Sequence, residues 1–220
     1  MSLPLVTAIM PTTAARAAFW PQAFESFLSQ DWPHKELLVL FGGPGAPPEA
    51  PHPSVRVELY HGKEIIGLKR NACCEQARGE FILHWDDDDW SAPGRILHQV
   101  GRLLETGKAV AAYNTVFFWN DRQLFEWGSY RSEIGSSLCY RRAWWEKNRF
   151  NPLDHTGEDN TFMGKAKKAV ELESMPHEGM MVCRIHPGNT SHKHPNSTPY
   201  KPLPSELLPA GFPRDVLAPA

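Results

Sequence analysis

Four consecutive aspartates, Asp86, Asp87, Asp88 and Asp89, close a run made of Phe81, Ile82, Leu83, His84 and Trp85, and Trp90 follows them. A short, mainly apolar run of this kind reads as a buried strand. Its abrupt end in four like charges constrains the fold more than any other feature of the chain. Carboxylates packed this tightly repel one another. A protein tolerates them only where water solvates the charge or a cation neutralises it. In an open α/β fold the place that meets this demand is the C-terminal end of a sheet strand, where such folds put their ligands. The run therefore predicts a divalent-metal site at the end of a central strand.

The rest of the chain supplies partners for that strand. Residues 6–10 form an apolar run that stops at Pro11-Thr12-Thr13. Residues 37–41 form a second, stopped by Gly42-Gly43-Pro44-Gly45, and 55–60 alternate as a third. Between them, 17–29 carry Phe19, Ala23, Phe24, Phe27 and Leu28 at helical spacing. Residues 67–78 read as helix, with Gly79 as its C-cap. Strands alternating with helices predict a doubly wound, Rossmann-like sheet. Beyond Pro93 the pattern gives a helix at 96–105, strands at 109–119 and 124–127 joined by an Asn120-Asp121 turn, a short strand at 138–140, helices at 143–147 and 158–168, and a last strand at 180–185. We expect one domain over residues 1–193 and a proline-rich, extended C-terminal tail over 194–220.

Length and charge remove several classes. With 220 residues the chain can bury one sizeable core. Its formal net charge of -2 gives no global attraction to nucleic acid. No secretory leader is evident at the N-terminus, and no apolar run approaches the roughly 20 residues that span a bilayer. The expected location is cytoplasmic, either free or peripheral to the inner membrane face. Cys73, Cys74, Cys139 and Cys183 lack metal-site or redox spacing and read as reduced core cysteines.

The chemistry gathers at four places. Mg²⁺ and Mn²⁺ prefer hard oxygen ligands and keep open positions for water and phosphate, which suits Asp86 and Asp88 on one turn. An extended turn would point both the same way. The Asp-x-Asp-x-Asp-Gly pattern of a calcium loop is absent. Gly67-Leu68-Lys69-Arg70-Asn71 opens a helix, where backbone amides with Lys69 and Arg70 favour phosphate; a solvated basic face is the competing reading. Gly157-Glu158-Asp159-Asn160 puts two acids at a helix start, as caps or as a general base. His186, at the end of the last strand, is a candidate third metal ligand.

Order and spacing together resemble family 2 glycosyltransferases of the GT-A fold. The matching elements are Ile9-Met10-Pro11-Thr12; Gly67, Arg70 and Asn71; Ala77-Arg78-Gly79-Glu80 leading into Asp86 to Asp89; Glu158-Asp159; and Arg184, His186 and Asn189. The likeness spans residues 6–191. It implies a metal-dependent enzyme that moves a sugar from a nucleoside-diphosphate sugar, a UDP-sugar first, to an acceptor hydroxyl with inversion. By the resemblance Asp88 is the main ligand of Mn²⁺ or Mg²⁺, helped by Asp86 and His186. Asp86 or Asp87 would hold ribose or metal. Asp159 is the base beside Glu158, and Thr12, Lys69 and Arg70 lie at the donor.

One departure stands out. Family members end the second strand in acids, one of which meets the nucleobase; here the chain reads Leu40-Phe41-Gly42-Gly43. Phe41 is the expected stacking surface for the base instead. Trp85, Trp90 and Trp127 read either as sugar platforms or as core. The implied acceptors are a glycan, a lipid-linked glycan or a protein. The alternative is a non-catalytic nucleotide- or glycan-binding module. A nucleotidyltransferase fits less well, because no Gly-rich loop with a basic triplet follows the first strand.

Overall fold

The computed structural model describes residues 3–128, 132–189 and 199–214. The predicted α/β architecture is present as two sheets sharing one chain path. The larger sheet is built from β1 (Val6–Thr12), β2 (Lys35–Gly42), β3 (Val55–Tyr60), β4 (Phe81–His84), β6 (Val110–Tyr113), β9 (Cys139–Arg141) and β10 (Leu172–Met175). Their spatial order is β10-β6-β9-β4-β1-β2-β3. β3, β2, β1 and β4 run parallel, and β9 lies antiparallel between β4 and β6. The aspartates thus leave a strand with a neighbour on each side. Trp85 extends that ladder through its N–H to Ile9 O, at 3.0 Å.

Helices cover both faces, as the near-continuous apolar strands require. Val6, Ala8 and Met10 of β1 face one core, with Ala23, Phe24 and Phe27 of α1 (Trp20–Leu28) and Ile96, Val100 and Leu103 of α3 (Arg95–Thr106). Ile9 faces the other, with Cys73 and Cys74 of α2 (Ile66–Gln76), Trp145 of α4 (Arg142–Lys147) and Phe162 of α5 (Glu158–Lys168). This is the period-two alternation of a strand buried on both sides. α3 stops where Gly107 adopts φ 72°, the left-handed conformation that glycine takes without strain. All four cysteines are buried.

The smaller sheet is ordered β12-β8-β7-β11-β5, from β5 (Trp90–Ser91), β7 (Thr115–Trp119), β8 (Leu124–Gly128), β11 (Met181–Arg184) and β12 (Tyr200–Leu203). The Asn120-Asp121 turn joins β7 to β8 as the sequence predicts, with Asp121 at φ 66°. Residues 109–119, read from sequence as one strand, are two strands in different sheets. The break falls at Asn114, whose N–H bonds Met175 O at 2.9 Å. β6 is buried on both faces while β7 alternates, so the surroundings change at the short polar step of Asn114 and Thr115. The short β5 and the polar β10 (Leu-Glu-Ser-Met) carry too little pattern to be seen beforehand.

The C-terminal segment is more than a tail. β12 pairs antiparallel with β8, setting Tyr200 opposite Trp127. Leu208 and Phe212 then close a cluster with Trp90, Trp119, Leu124 and Val182. Residues 199–214 are part of the second layer, and only 190–198 and 215–220 of the predicted tail region lie outside the described residues. Trp85 and Trp90 are core, and Trp127 packs partly buried against it.

Candidate active site

A cavity of about 500 Å³ opens at the C-terminal ends of β1 and β4. Residues from all four sequence motifs line it, including Thr12, Lys69, Arg70, Asp86, Asp87, Asp88, Glu158 and Asp159. His186 does not line it directly but reaches Asp88 from behind. The remaining candidate, Phe41, is buried, its ring edge-on to Trp20 at 6.2 Å. It presents no face to the cavity, so the stacking role expected from sequence has no geometry behind it.

The four aspartates diverge as the turn unwinds. Asp86 faces α2, where Arg70 Nη2 donates to its Oδ1 at 3.3 Å. Asp87 accepts from Thr12 Oγ1 at 2.5 Å and from Arg16 Nε at 2.9 Å. Asp88 Oδ2 takes three donors: His186 Nε2 at 2.9 Å, Asn189 Nδ2 at 3.2 Å, and Arg16 Nη2 in a close ion pair. Asp89 Oδ1 accepts the Arg184 N–H at 3.2 Å and so ties the turn to β11. Asp86 and Asp88 therefore do not point the same way. Among the described residues no three His, Cys, Asp or Glu side chains converge on one metal position.

Charge in this turn is finely balanced. Burial and then the Asp88 charge push Asp87 up to about 6, although Arg16 and Thr12 pull against them. Burial also opposes ionisation of Asp88, but the His186 hydrogen bond and the Arg16 charge overcome it and hold its pKa below the usual carboxylate value. The Arg16 guanidinium is desolvated as well, yet Asp88 and Asp87 raise its pKa above the ordinary value.

The basic pair on α2 is no solvated face. Lys69 and Arg70 are both buried. Lys69 Nζ pairs with Glu64 Oε2 at 2.8 Å and also donates to Thr12 O at 3.3 Å. Arg70 Nε donates to Glu158 Oε1 at 2.7 Å, and its Nη1 is a buried donor with no partner among the described residues. Asn71 is structural: its side chain fastens Phe150 and Trp145. Gly67 is needed for space, since a Cβ there would lie 2.1 Å from Asn151 O.

The N-cap of α5 is Gly157, which makes no side-chain cap bond, and the two acids follow it in the first turn. Glu158 is buried on Arg70. Asp159 stays at the cavity, its Oδ1 accepting the Asn160 N–H at 2.7 Å. Burial, and after it the neighbouring Glu158 charge, raise its pKa above the usual value against the pull of Arg70. An aspartate biased towards its protonated form in a cleft is suited to proton transfer.

Sequence reasoning missed two residues. Arg16 sits in the 3-10 turn after β1, and only its place as the cation following Pro11-Thr12-Thr13 could have marked it. Glu64 precedes α2 in a loop with no distinguishing pattern. Its carboxylate crosses the space beside Gly42, where a Cβ would stand 2.3 Å from Glu64 Oε1. An acid is thus present beside the end of β2 after all, supplied from another segment.

Comparison with known proteins places these features in a family. The model for "Glycosyl transferase family 2" matches residues 7–166. The fold is similar to that of S. aureus TarS 1-349 in complex with UDP-GlcNAc, with TM-score 0.67, 18% identity, and cover of 84% of this chain and 60% of that one. It is also similar to the mannosyltransferase PcManGT from Pyrobaculum calidifontis in complex with GDP-Man and Mn²⁺, with TM-score 0.63, 15% identity and cover of 84% and 57%. Against S. aureus TarS the cover is 83% of this chain and 37% of that one, with TM-score 0.65 and 18% identity. The chain thus spans between about a third and three fifths of the length of these neighbours. No curated protein matches the sequence.

Proposed function

The chain belongs to glycosyl transferase family 2, and on that premise we propose that it transfers a sugar from a nucleoside-diphosphate sugar to an acceptor hydroxyl. The observation that carries this reading is Asp159. It is a cavity carboxylate with a raised pKa, opening on the same space as Lys69, Arg70 and Asp88. One base faces one cationic, anion-binding wall, and a single displacement with inversion needs no more than that. Asp159 accepts the proton of the acceptor hydroxyl. The acceptor oxygen bonds to the anomeric carbon as the bond to the diphosphate oxygen breaks. The nucleoside diphosphate leaves, and Asp159 later returns its proton to water. General-base help of this kind is worth about 10²–10⁴ in rate.

The unpartnered Arg70 Nη1 supports a diphosphate at this wall, since a buried donor without an acceptor is costly until a ligand supplies one. Glu158 and Asp86 hold the Arg70 fork in place. Glu64, beside Gly42 and Lys69, is the group best placed to meet the nucleobase. A UDP-sugar is the first donor to try; TarS is solved with UDP-GlcNAc, PcManGT with GDP-Man.

The chemistry of Asp88 and His186 fits a divalent ion. The Asp88 carboxylate and the His186 imidazole, in contact through Oδ2 and Nε2 at 2.9 Å, are the residues that would hold it. Asp86, turned to Arg70, is not the second ligand in this conformation. A bound Mn²⁺ or Mg²⁺ would act as a Lewis acid, neutralising charge on the departing diphosphate. A glycan, a lipid-linked glycan or a protein is the proposed acceptor. No helix among the described residues is long and apolar enough to cross a membrane.

The test is nucleotide release from UDP-, GDP- and dTDP-sugars with Mn²⁺, with and without chelator. Release that chelator stops and that Asp159→Asn abolishes supports the full reading. Nucleotide binding without turnover across donors and a broad acceptor set would favour the non-catalytic module.

A further inference from the structure

The Asp87–Asp88 pair already has a cation, and it is a residue of this chain. Arg16 uses each of its nitrogens. Nε donates to Asp87 Oδ1 at 2.9 Å, Nη1 to Gly188 O at 2.9 Å, and Nη2 pairs with both Asp87 Oδ1, at 2.9 Å, and Asp88 Oδ2. The guanidinium carbon lies 5.2 Å from the centre of the Phe19 ring, which in turn packs on the His186 ring at 4.8 Å. The guanidinium is therefore fixed in place by two carboxylates, a carbonyl and an aromatic face. It lies on the same Asp88 oxygen that His186 meets, the oxygen that fits a metal ion. That oxygen has two lone pairs and three protein donors, so it has none left to give a metal.

We propose that Arg16 is the resident cation of this site and that a divalent metal ion binds Asp88 Oδ2, the oxygen facing His186, only by displacing it. In the free protein Arg16 holds the carboxylates together and ties the first 3-10 turn to Gly188 on the turn after β11. Metal entry frees the guanidinium from Asp88 and releases that tie. Metal affinity is thus scaled down to the fraction of time Arg16 spends detached. If the detached state is populated at about 1–10%, the apparent affinity falls about 10- to 100-fold. This inference rests on the metal reading of Asp88, so its test measures metal binding alone, with no donor and no turnover.

The experiment titrates the full chain with Mn²⁺ and follows the loss of the free-ion electron paramagnetic resonance signal, for wild type, Arg16→Gln and Arg16→Lys. Arg16→Gln is expected to bind Mn²⁺ about tenfold or more tightly than wild type. Arg16→Lys, a point charge that cannot reach both carboxylates in one plane, is expected between them. Without metal, Arg16→Gln melts below wild type, and Mn²⁺ restores more of its melting temperature than it adds to wild type. If Arg16→Gln does not fold without metal, the Lys variant decides, with tighter binding than wild type expected. Equal affinity in wild type and the deciding variant, or weaker binding in that variant, overturns the proposal while leaving Asp88 as a metal ligand. No Mn²⁺ binding by any of the three overturns both.

Discussion

Gly135 leaves no room between its backbone and Asp159: a Cβ on Gly135 would lie 1.4 Å from Asp159 Oδ2. The 3-10 turn of residues 135–137 thus packs directly against the proposed base and sets its rotamer. Gly135→Ala keeps an allowed backbone but drives the short carboxylate out of position. We expect kcat to fall about 100-fold, since a displacement near 1 Å costs about that much, with the melting temperature within about 2 °C of wild type. A variant with unchanged kcat would mean that the Asp159 carboxylate is not the reacting base.

The rate should rise with pH as Asp159 loses its proton. Its pKa is raised, so the acidic limb of kcat/KM falls above the ordinary carboxylate range. The Glu158 charge contributes to that rise. In Glu158→Gln the charge is gone and the limb is expected to move to lower pH. The sign for stability is opposite to that of a salt-bridged acid. A carboxylate with a folded pKa above its unfolded one favours folding at low pH, and that contribution is lost as pH rises through the folded value. Asp159→Asn should therefore remove turnover and raise the neutral-pH melting temperature by about 2 °C. A melting temperature that falls instead would show that the ionised carboxylate stabilises the fold.

Phe212 is the last large side chain in the second core, edge-on to Trp90 at 5.8 Å and under the Arg184 guanidinium at 4.8 Å. Phe212→Ala should cost about 3 kcal/mol and lower the melting temperature by about 6–12 °C. Arg184 also grips Gln22 on α1 and leads into His186, so donor KM should rise in step. Thermal melts with donor kinetics check this, and a change confined to stability would separate the C-terminal segment from the site.

The larger sheet was legible because burial on both faces writes itself as continuous apolar runs, as in 6–10, 37–41 and 81–85. Its aspartate edge was legible because no other part of the chain concentrates like charge so tightly. The switch at Asn114 was not legible. Asn114 and Thr115 interrupt the apolar stretch too briefly to mark a change of sheet, and the partners that separate the two strands, such as Met175, lie some sixty residues away. Arg16 was hidden for a similar reason: a lone arginine in a turn acquires meaning only when Asp87, Asp88 and Gly188 close around it. Phe41 misled because a stacking role was inferred from residue type alone, and the Trp20 ring that covers it comes from another element.

Asn114 also decides how the cleft can move. A single residue joins β6 of one sheet to β7 of the other, and the Asp89–Arg184 bond pins the two again on the far side. A junction that short, with a second tie at Asp89 and Arg184, resists the two layers swinging apart as jaws. Among the described residues, the turns at 155–157 and 186–189 then form part of the rim past which substrates enter and leave.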